Sequence, residues 1–387
     1  MTPIVQIVHY SDLHIVGPDY LQQRTFLDRI SRRLPTLHRQ GLSKASLAAL
    51  QAFEAFLRDD IAGDDLWQGR PVWLIDTGDG TTFGDAPSLE QWIDVWSPRF
   101  LKAAGHHARQ LTLYGNHDAW PGTFPLLAPR GMAPQRDALR ATRFADAWPA
   151  APLTAPIPSS RGSQIQLYAL NSVDHELFAN TKALGKVLPD RFWESPPPMT
   201  GPTALDDLRR CIAAHSGAAG GRHLRILAMH YPVCADTHAG ARITEILANR
   251  DDVARELAAA PAGSPLAHLL LAGHTHVGYP SIGLLPNALG SVRHAPLPDR
   301  HCQSVAASLS QIVLGSNGAA ALAHYPDQCA QDCPYQCTVL RIYAANAQGD
   351  ELVVERITAG RPPGGSFAFL PLDVGSSRCG EQLTVTL

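Results

Sequence analysis

Five short segments scattered along the chain each close an apolar run: Asp12-Leu13-His14, Gly78-Asp79, Gly115-Asn116-His117-Asp118, His230-Tyr231-Pro232 and Gly273-His274-Thr275-His276. The runs before them, Ile4 to Tyr10, Val72 to Thr77, Gln110 to Tyr114, Leu224 to Met229 and His268 to Ala272, are short and rich in aliphatic or β-branched residues. Such runs read as buried strands. A sixth, Gln164 to Leu170, has the same character without a motif behind it. Polar groups at the ends of successive strands meet only if a sheet gathers those ends, and this requirement narrows the fold more than any other property of the chain.

Helix-like stretches alternate with the strands: Ser43 to Arg58, with Leu47, Leu50, Phe53, Phe56 and Leu57 at helical spacing behind a Ser43 cap, then Ser88 to Ala104, Thr203 to Ala214 and Asp251 to Ala260. Alternation of this kind predicts α/β layering. After the fifth motif the pattern turns to strands alone, at Ser304 to Leu314, Thr338 to Tyr343 and Glu351 to Ile357. Residues 304–387 are therefore expected to supply a second sheet packed on the first, within one domain covering 1–387 and 45% hydrophobic. Residues 119–158, proline-rich and holding Trp120, Phe124, Arg130, Arg136, Arg143 and Trp148, begin directly after the third motif and read as a lid or substrate wall. Residues 15–41 and 278–302 follow other motifs and are further candidates for a rim.

The chemistry follows from residue types. Asp12 and His14 are two apart, which in extended backbone sends both to one side while Leu13 faces the core. A carboxylate and an imidazole would then grip one metal ion. His274 and His276 repeat the spacing, with Gly273 allowing a tight turn. Asp79 ends a strand and turn, and a carboxylate can bridge two cations about 3.5 to 4 Å apart. Asn116 adds an amide oxygen and His230 another imidazole. Each pair alone is a weak signal, since core histidines and turn-forming Asp or Asn are common; seven such positions together are not explained that way.

These segments, in their order and spacing, resemble the motif series of the calcineurin-like metallophosphoesterase superfamily over about 270 residues. The third and fifth segments are the most specific. The resemblance implies a four-layer α/β/β/α sandwich of two mixed sheets flanked by helices. It also implies a dinuclear centre of divalent ions (Mn, Fe, Zn or Co). Asp12, His14, Asp79 and His276 would hold one ion, and Asp79, Asn116, His230 and His274 the other. His117 would face substrate and serve the leaving oxygen, with Asp118 either orienting it or folding the turn. A cation-acidified water would attack phosphorus in line. Tyr231 stands where many members carry a second histidine, and Gly80-Thr81-Thr82 lacks a further ligand-like residue seen in some. Both departures bear on substrate rather than on metal.

Two divalent cations, two carboxylates and one hydroxide leave a net charge of about +1, which matches a phosphodiester monoanion; a monoester dianion usually wants an added Arg or Lys clamp. The expected substrate is thus a small phosphodiester, a cyclic nucleotide among the candidates, with a phosphomonoester or nucleotide as the alternative. A net charge of -3 gives no general attraction to polyanions, so a nuclease is the weaker reading, and a metal-free binding scaffold would lack ligands that this chain keeps. No apolar run approaches the ~20 residues of a membrane span, and no secretory signal precedes the first strand, so a cytoplasmic enzyme is expected.

Seventeen histidines suit a nitrogen and oxygen site, although His38, His106, His107, His215, His223, His294 and His301 read as solvated surface residues. Seven cysteines do not form a secreted disulfide pattern. Cys329, Cys333 and Cys337 recur every four residues, but Pro334 disfavours a helix there. Packing thiols are the preferred reading over a disulfide or a small metal site.

Overall fold

The computed structural model describes residues 1–15, 17, 47–81, 86–113, 115, 118, 152–158, 162–170, 172, 201–215, 223–233, 266–274, 279–281, 303–304, 310–313, 336–347, 351–360, 370–371 and 381–386. Strands β1 (Thr2–Tyr10), β2 (Val72–Asp76) and β3 (Ala108–Thr112) run parallel, with β1 between β2 and the long antiparallel β11 (Gln336–Ala344). Beyond β11 lie β12 (Glu351–Gly360), β14 (Glu381–Thr386) and β9 (Gln303–Ser304), with β13 (Leu370–Pro371) pairing β12 from the side. A second sheet has the order β4-β5-β6-β7-β10-β8. It comprises β4 (Leu153–Pro156), β5 (Gln164–Ala169), β6 (His223–Ala228), β7 (Leu269–Ala272), β8 (Tyr279–Ser281) and β10 (Ser310–Val313). In that sheet β5, β6, β7 and β10 are mutually parallel.

This topology corrects two expectations. Of the three C-terminal runs only the first joins the second sheet, as β10 beside β7, whereas β11, β12 and β14 continue the first, because β11 supplies the hydrogen bonds that the free edge of β1 requires. The second sheet instead takes its central strands from the middle of the chain. The stretch 119–158, read as a lid, ends in a strand: β4 pairs with β5, with Pro156 on the sheet's edge where a missing N–H costs nothing. Residues 119–151 of that stretch, the rims at 18–41 and 282–302, and the predicted helix Asp251 to Ala260 lie outside the described residues.

Alternation along the strands decides what each face buries. Val5 and Ile7 of β1, with Trp73, Ile75 and Leu111, meet Ile165, Leu167, Leu224, Ile226, Leu269 and Leu271 of the other sheet in an inter-sheet core of mainly aliphatic chains. On the opposite face of β1, Val8 and Tyr10 meet helices α1 (Leu47–Phe56) and α3 (Ser97–Ala103). That second core is aromatic: the Phe53 ring lies 5.2 Å from Tyr10 and 5.1 Å from Phe100. Leu50, Phe53, Phe56 and Leu57 are buried as their spacing predicts, whereas Leu47, at the exposed start of α1, is not. α1 widens into a π-helical turn at Leu57–Ile61, and α2 (Ala86–Glu90) reaches α3 through another at Gln91–Trp96. Helix α4 (Gly201–His215) is tied to the outer face of the second sheet, where Gln166 Nε2 donates to the His215 carbonyl at 2.8 Å.

Cys337 sits buried within β11 as a free thiol, its pKa pushed up by burial, consistent with packing; Cys329 and Cys333 lie outside the described residues. His106 and His107 are exposed as expected, but His223, read as a surface residue, begins β6 and is buried. No described helix is long and apolar enough to cross a membrane.

Candidate metal centre

In open α/β sheets, ligands gather beyond the carboxyl ends of parallel strands. Here Asp12 and His14 follow β1, Asp79 follows β2, Gly115 and Asp118 follow β3, His230 follows β6 and His274 follows β7, so the two sheets present their carboxyl ends to one place. Two groups of donors result, the buried Asp12–His14–Asp79 and Asp79–His230–His274, in which His274 is half-buried, with ligand atoms in each within 4.8 Å of one another. Asp79 belongs to both. Its Oδ2 stands 3.9 Å from His14 Nε2 and 3.6 Å from His230 Nε2. Asn116, His117 and His276 lie outside the described residues.

The backbone shows what the sequence did not. Asp12 and His14 were expected on extended chain, yet β1 stops at Tyr10 and both residues adopt left-handed backbone, with φ of 56° and 53°. Asp79 (54°) and His274 (70°) do the same, and these four are the only non-glycine residues at positive φ among the described residues. Each such conformation costs roughly 1 kcal/mol or more and persists only where the surroundings impose it. The imposing contacts are a ladder between two loops: Asp12 N–H donates to Gly78 O, His14 N–H to Asp79 O and Ile15 N–H to Gly80 O, each at 2.9 Å. Leu13, between the ligands, is buried in the aromatic core as expected.

Asp118 locks the second of those loops. Its carboxylate accepts from the backbone N–H of Gly80 (3.2 Å), Thr81 (2.7 Å) and Gly115 (2.9 Å) and from the Thr81 hydroxyl (2.9 Å). Burial nevertheless pushes its pKa up to about 6, against the pull of these hydrogen bonds. The glycines serve close approach. A Cβ on Gly115 would collide with the Asp79 carboxylate and backbone, and one on Gly273 with the Ser11 side chain. Gly273, expected to allow a tight turn, is required by contact and is not among the described glycines at positive φ; Gly78, with φ of 110°, is the glycine of the site that needs the residue's freedom.

Two of the supporting groups, Ser172 and the Thr77 carbonyl, were missed in the sequence, and a third, Tyr231, was noted there only as a departure from the family pattern. Ser172 Oγ, just past β5, accepts from the N–H groups of both His230 and Tyr231 at 3.0 Å. The Thr77 carbonyl lies 2.9 Å from His230 Nδ1, and Tyr231 packs edge-on to the rings of His230 and His274, with centroids 5.1 and 4.3 Å away. Ser172 had a recoverable signal, a small polar residue directly after a buried parallel strand. A backbone carbonyl has none.

These contacts test whether the donors suit a cation. A carbonyl only accepts, so His230 carries its proton on Nδ1 and, when neutral, turns the Nε2 lone pair toward the Asp79 carboxylate and toward His274 Nδ1, 3.2 Å away. The His230 Nε2 lone pair and the Asp79 carboxylate, 3.6 Å apart, repel one another unless a cation or a proton sits between them. At metal–nitrogen bonds of about 2.1 Å, neighbouring ligands of one ion stand about 3.0 to 3.4 Å apart. The donor set is nitrogen and oxygen only, so it fits borderline divalent ions.

A two-sheet α/β fold with buried ligand groups sharing one carboxylate defines a class, the α/β proteins built around a two-cation site. The chain belongs to the calcineurin-like phosphoesterase family, whose model matches residues 5–278. No curated protein sequence matches it. Among solved structures it is similar to a purple acid phosphatase from yellow lupin seeds, at 12% identity and a TM-score of 0.47, over 100% of this chain and 54% of that one. It is also similar to the sulfate thiohydrolase SoxB of Thermus thermophilus (11%, TM-score 0.37, 100% of this chain and 57% of that one). A third similarity is to GAP50, the anchor in the inner membrane complex of Plasmodium (9%, TM-score 0.36, 97% and 90%). The chain thus spans little more than half of the first and second of these proteins.

Proposed function

We propose that this protein is a hydrolase of phosphoric esters with a preference for small phosphodiesters, its reaction centred on two divalent cations held by the two groups that share Asp79. The observation that carries the reading is that sharing, with Asp79 Oδ2 between His14 Nε2 and His230 Nε2. Asn116 would complete the group of His230 and His274, and His276 that of Asp12 and His14. Bound there, such ions supply Lewis acidity toward phosphoryl oxygens and a water acidified from 15.7 toward about 7.

The chain's own residues do the remainder. His117 donates a proton to the departing oxygen, a step worth roughly 10² to 10⁴ in rate. Asp118 acts as a positioning residue: its four accepted hydrogen bonds tie Gly115 and Asp118, which flank Asn116 and His117 in the chain, to the loop that carries Asp79. The preference for diesters rests on a centre charge of about +1, which one phosphodiester monoanion neutralises.

The test is hydrolysis of bis(p-nitrophenyl) phosphate, p-nitrophenyl phosphate, a cyclic nucleotide and duplex DNA by manganese-loaded protein. A higher kcat/KM for the small diesters supports the proposal. Faster monoester turnover moves the assignment to a phosphomonoesterase, and activity on DNA alone to a nuclease.

A further inference from the structure

His9 is fully buried near the carboxyl end of β1, takes no part in either ligand group, and was not singled out in the sequence. Its Nε2 lies 3.0 Å from Thr77 Oγ1. Thr77 in turn receives His230 Nδ1 on its carbonyl at 2.9 Å and donates its own N–H to Tyr10 O at 3.0 Å. One residue of the first sheet thus joins a buried histidine of that sheet to a candidate ligand of the other.

We infer that His9 and Thr77 are positioning residues that aim His230 Nε2 at the site, an inference that rests on the two-cation reading above. The carbonyl that holds His230 belongs to the peptide linking Thr77 to Gly78, and Gly78 sits at φ 110°, where glycine opposes rotation least. Something other than local backbone preference must fix that carbonyl. The N–H of the same peptide donates to Asp76 Oδ1 at 3.1 Å, and the Thr77 side chain, tethered to His9, adds a second constraint from the side of the carbonyl's own residue. His9 is a rigid anchor because β1 is hydrogen-bonded on both sides, with His9 opposite Ile75 of β2 and Thr338 of β11. Burial drives the His9 pKa down to about 3, so the ring stays neutral under ordinary conditions and the tether does not change with pH. Groups that orient a ligand imidazole are typically worth roughly 10- to 100-fold in metal affinity.

The prediction concerns one ion of the two. Thr77→Val removes the hydroxyl and keeps the shape, Thr77→Ser keeps the hydroxyl, and His9→Leu removes the tether from the other side. Cobalt(II) binding to the metal-stripped protein would be followed by absorption, with stoichiometry by elemental analysis and melting of the metal-free forms alongside. Thr77→Val and His9→Leu should each weaken one cobalt by roughly tenfold or more and leave the other within about twofold, while Thr77→Ser stays close to the parent. The inference fails if Thr77→Val keeps both affinities, or if both fall together in step with a lower melting temperature, which marks a role in folding alone. A parent protein that takes up fewer than two cobalt ions instead overturns the two-cation reading, whatever the variants do.

Discussion

The two ligand groups share a carboxylate but are held in different ways. Asp12, His14 and Asp79 all follow neighbouring strands of the first sheet, and the hydrogen bonds from Asp12, His14 and Ile15 to residues 78–80 set their spacing within one layer. His230 and His274 arise from the second sheet and reach Asp79 only across the interface. Their links to the first sheet among the described residues include His230 Nδ1 to Thr77 O, the His274 N–H to Asp12 Oδ2 at 3.1 Å, and the close approach of Gly273 to Ser11. The first group is thus set by contacts between two loops of one sheet, while the second reports how well two sheets are packed.

Removing what the groups share should have the largest effect. Asp79→Ala should abolish binding of both ions and hydrolysis with them, and a variant that keeps two ions by elemental analysis would break the shared-ligand assignment. His117→Ala should keep both ions and lose roughly 10² to 10⁴ in kcat, most for esters with poor leaving groups. If metal content falls instead, His117 is a ligand.

A matched pair of core changes addresses the contrast directly. Leu271→Ala in the inter-sheet core and Phe53→Ala in the aromatic core each remove a fully buried side chain, costing roughly 2 to 5 kcal/mol. If the second group depends on sheet packing, Leu271→Ala should weaken one cobalt site relative to the other, and Phe53→Ala, at similar loss in urea stability, should not. Equal effects on both sites would show that the two groups respond as one unit.

The same contrast governs what the sequence could show. Strand positions and the five clustered donors were legible because buried parallel strands are continuous apolar runs and because donors at their ends have one place to meet. β1, β2, β5, β6 and β7 lie within two residues of where the runs predict them. The assignment of strands to sheets was not legible: β11 pairs with β1 across more than 300 residues, and nothing local in Gln336–Ala344 specifies that partner. Nor was the left-handed backbone at Asp12, His14, Asp79 and His274, since Asp and His tolerate it but adopt it at only a small share of their positions. Those conformations are imposed by the facing loop, a tertiary cause that no spacing rule encodes.

The smallest expected effect distinguishes the sheets by pH. His268, at the entrance to β7, is buried and accepts the Arg225 N–H on Nδ1 at 3.1 Å. Burial, with the nearby Arg225 charge, brings its pKa from 6.5 down to about 4. Between those values the unfolded chain binds more protons than the folded one, so stability rises with pH across the window and is lost as pH falls from 6.5 to 4, by about 3 kcal/mol in all. His9 acts with the same sign from the first sheet, over a window reaching down to about 3. His268→Gln, whose side-chain carbonyl can still accept from Arg225, should therefore flatten the dependence of urea stability on pH between 4 and 6.5 without removing it. The slope that survives belongs in part to His9 and should shrink further in His9→Leu. If His268→Gln keeps the full parental slope, acid sensitivity lies outside the second sheet, with His9 of the first sheet as the group of matching sign, since the buried Asp76 and Asp118 carboxyls, pushed up by burial, act with the opposite sign.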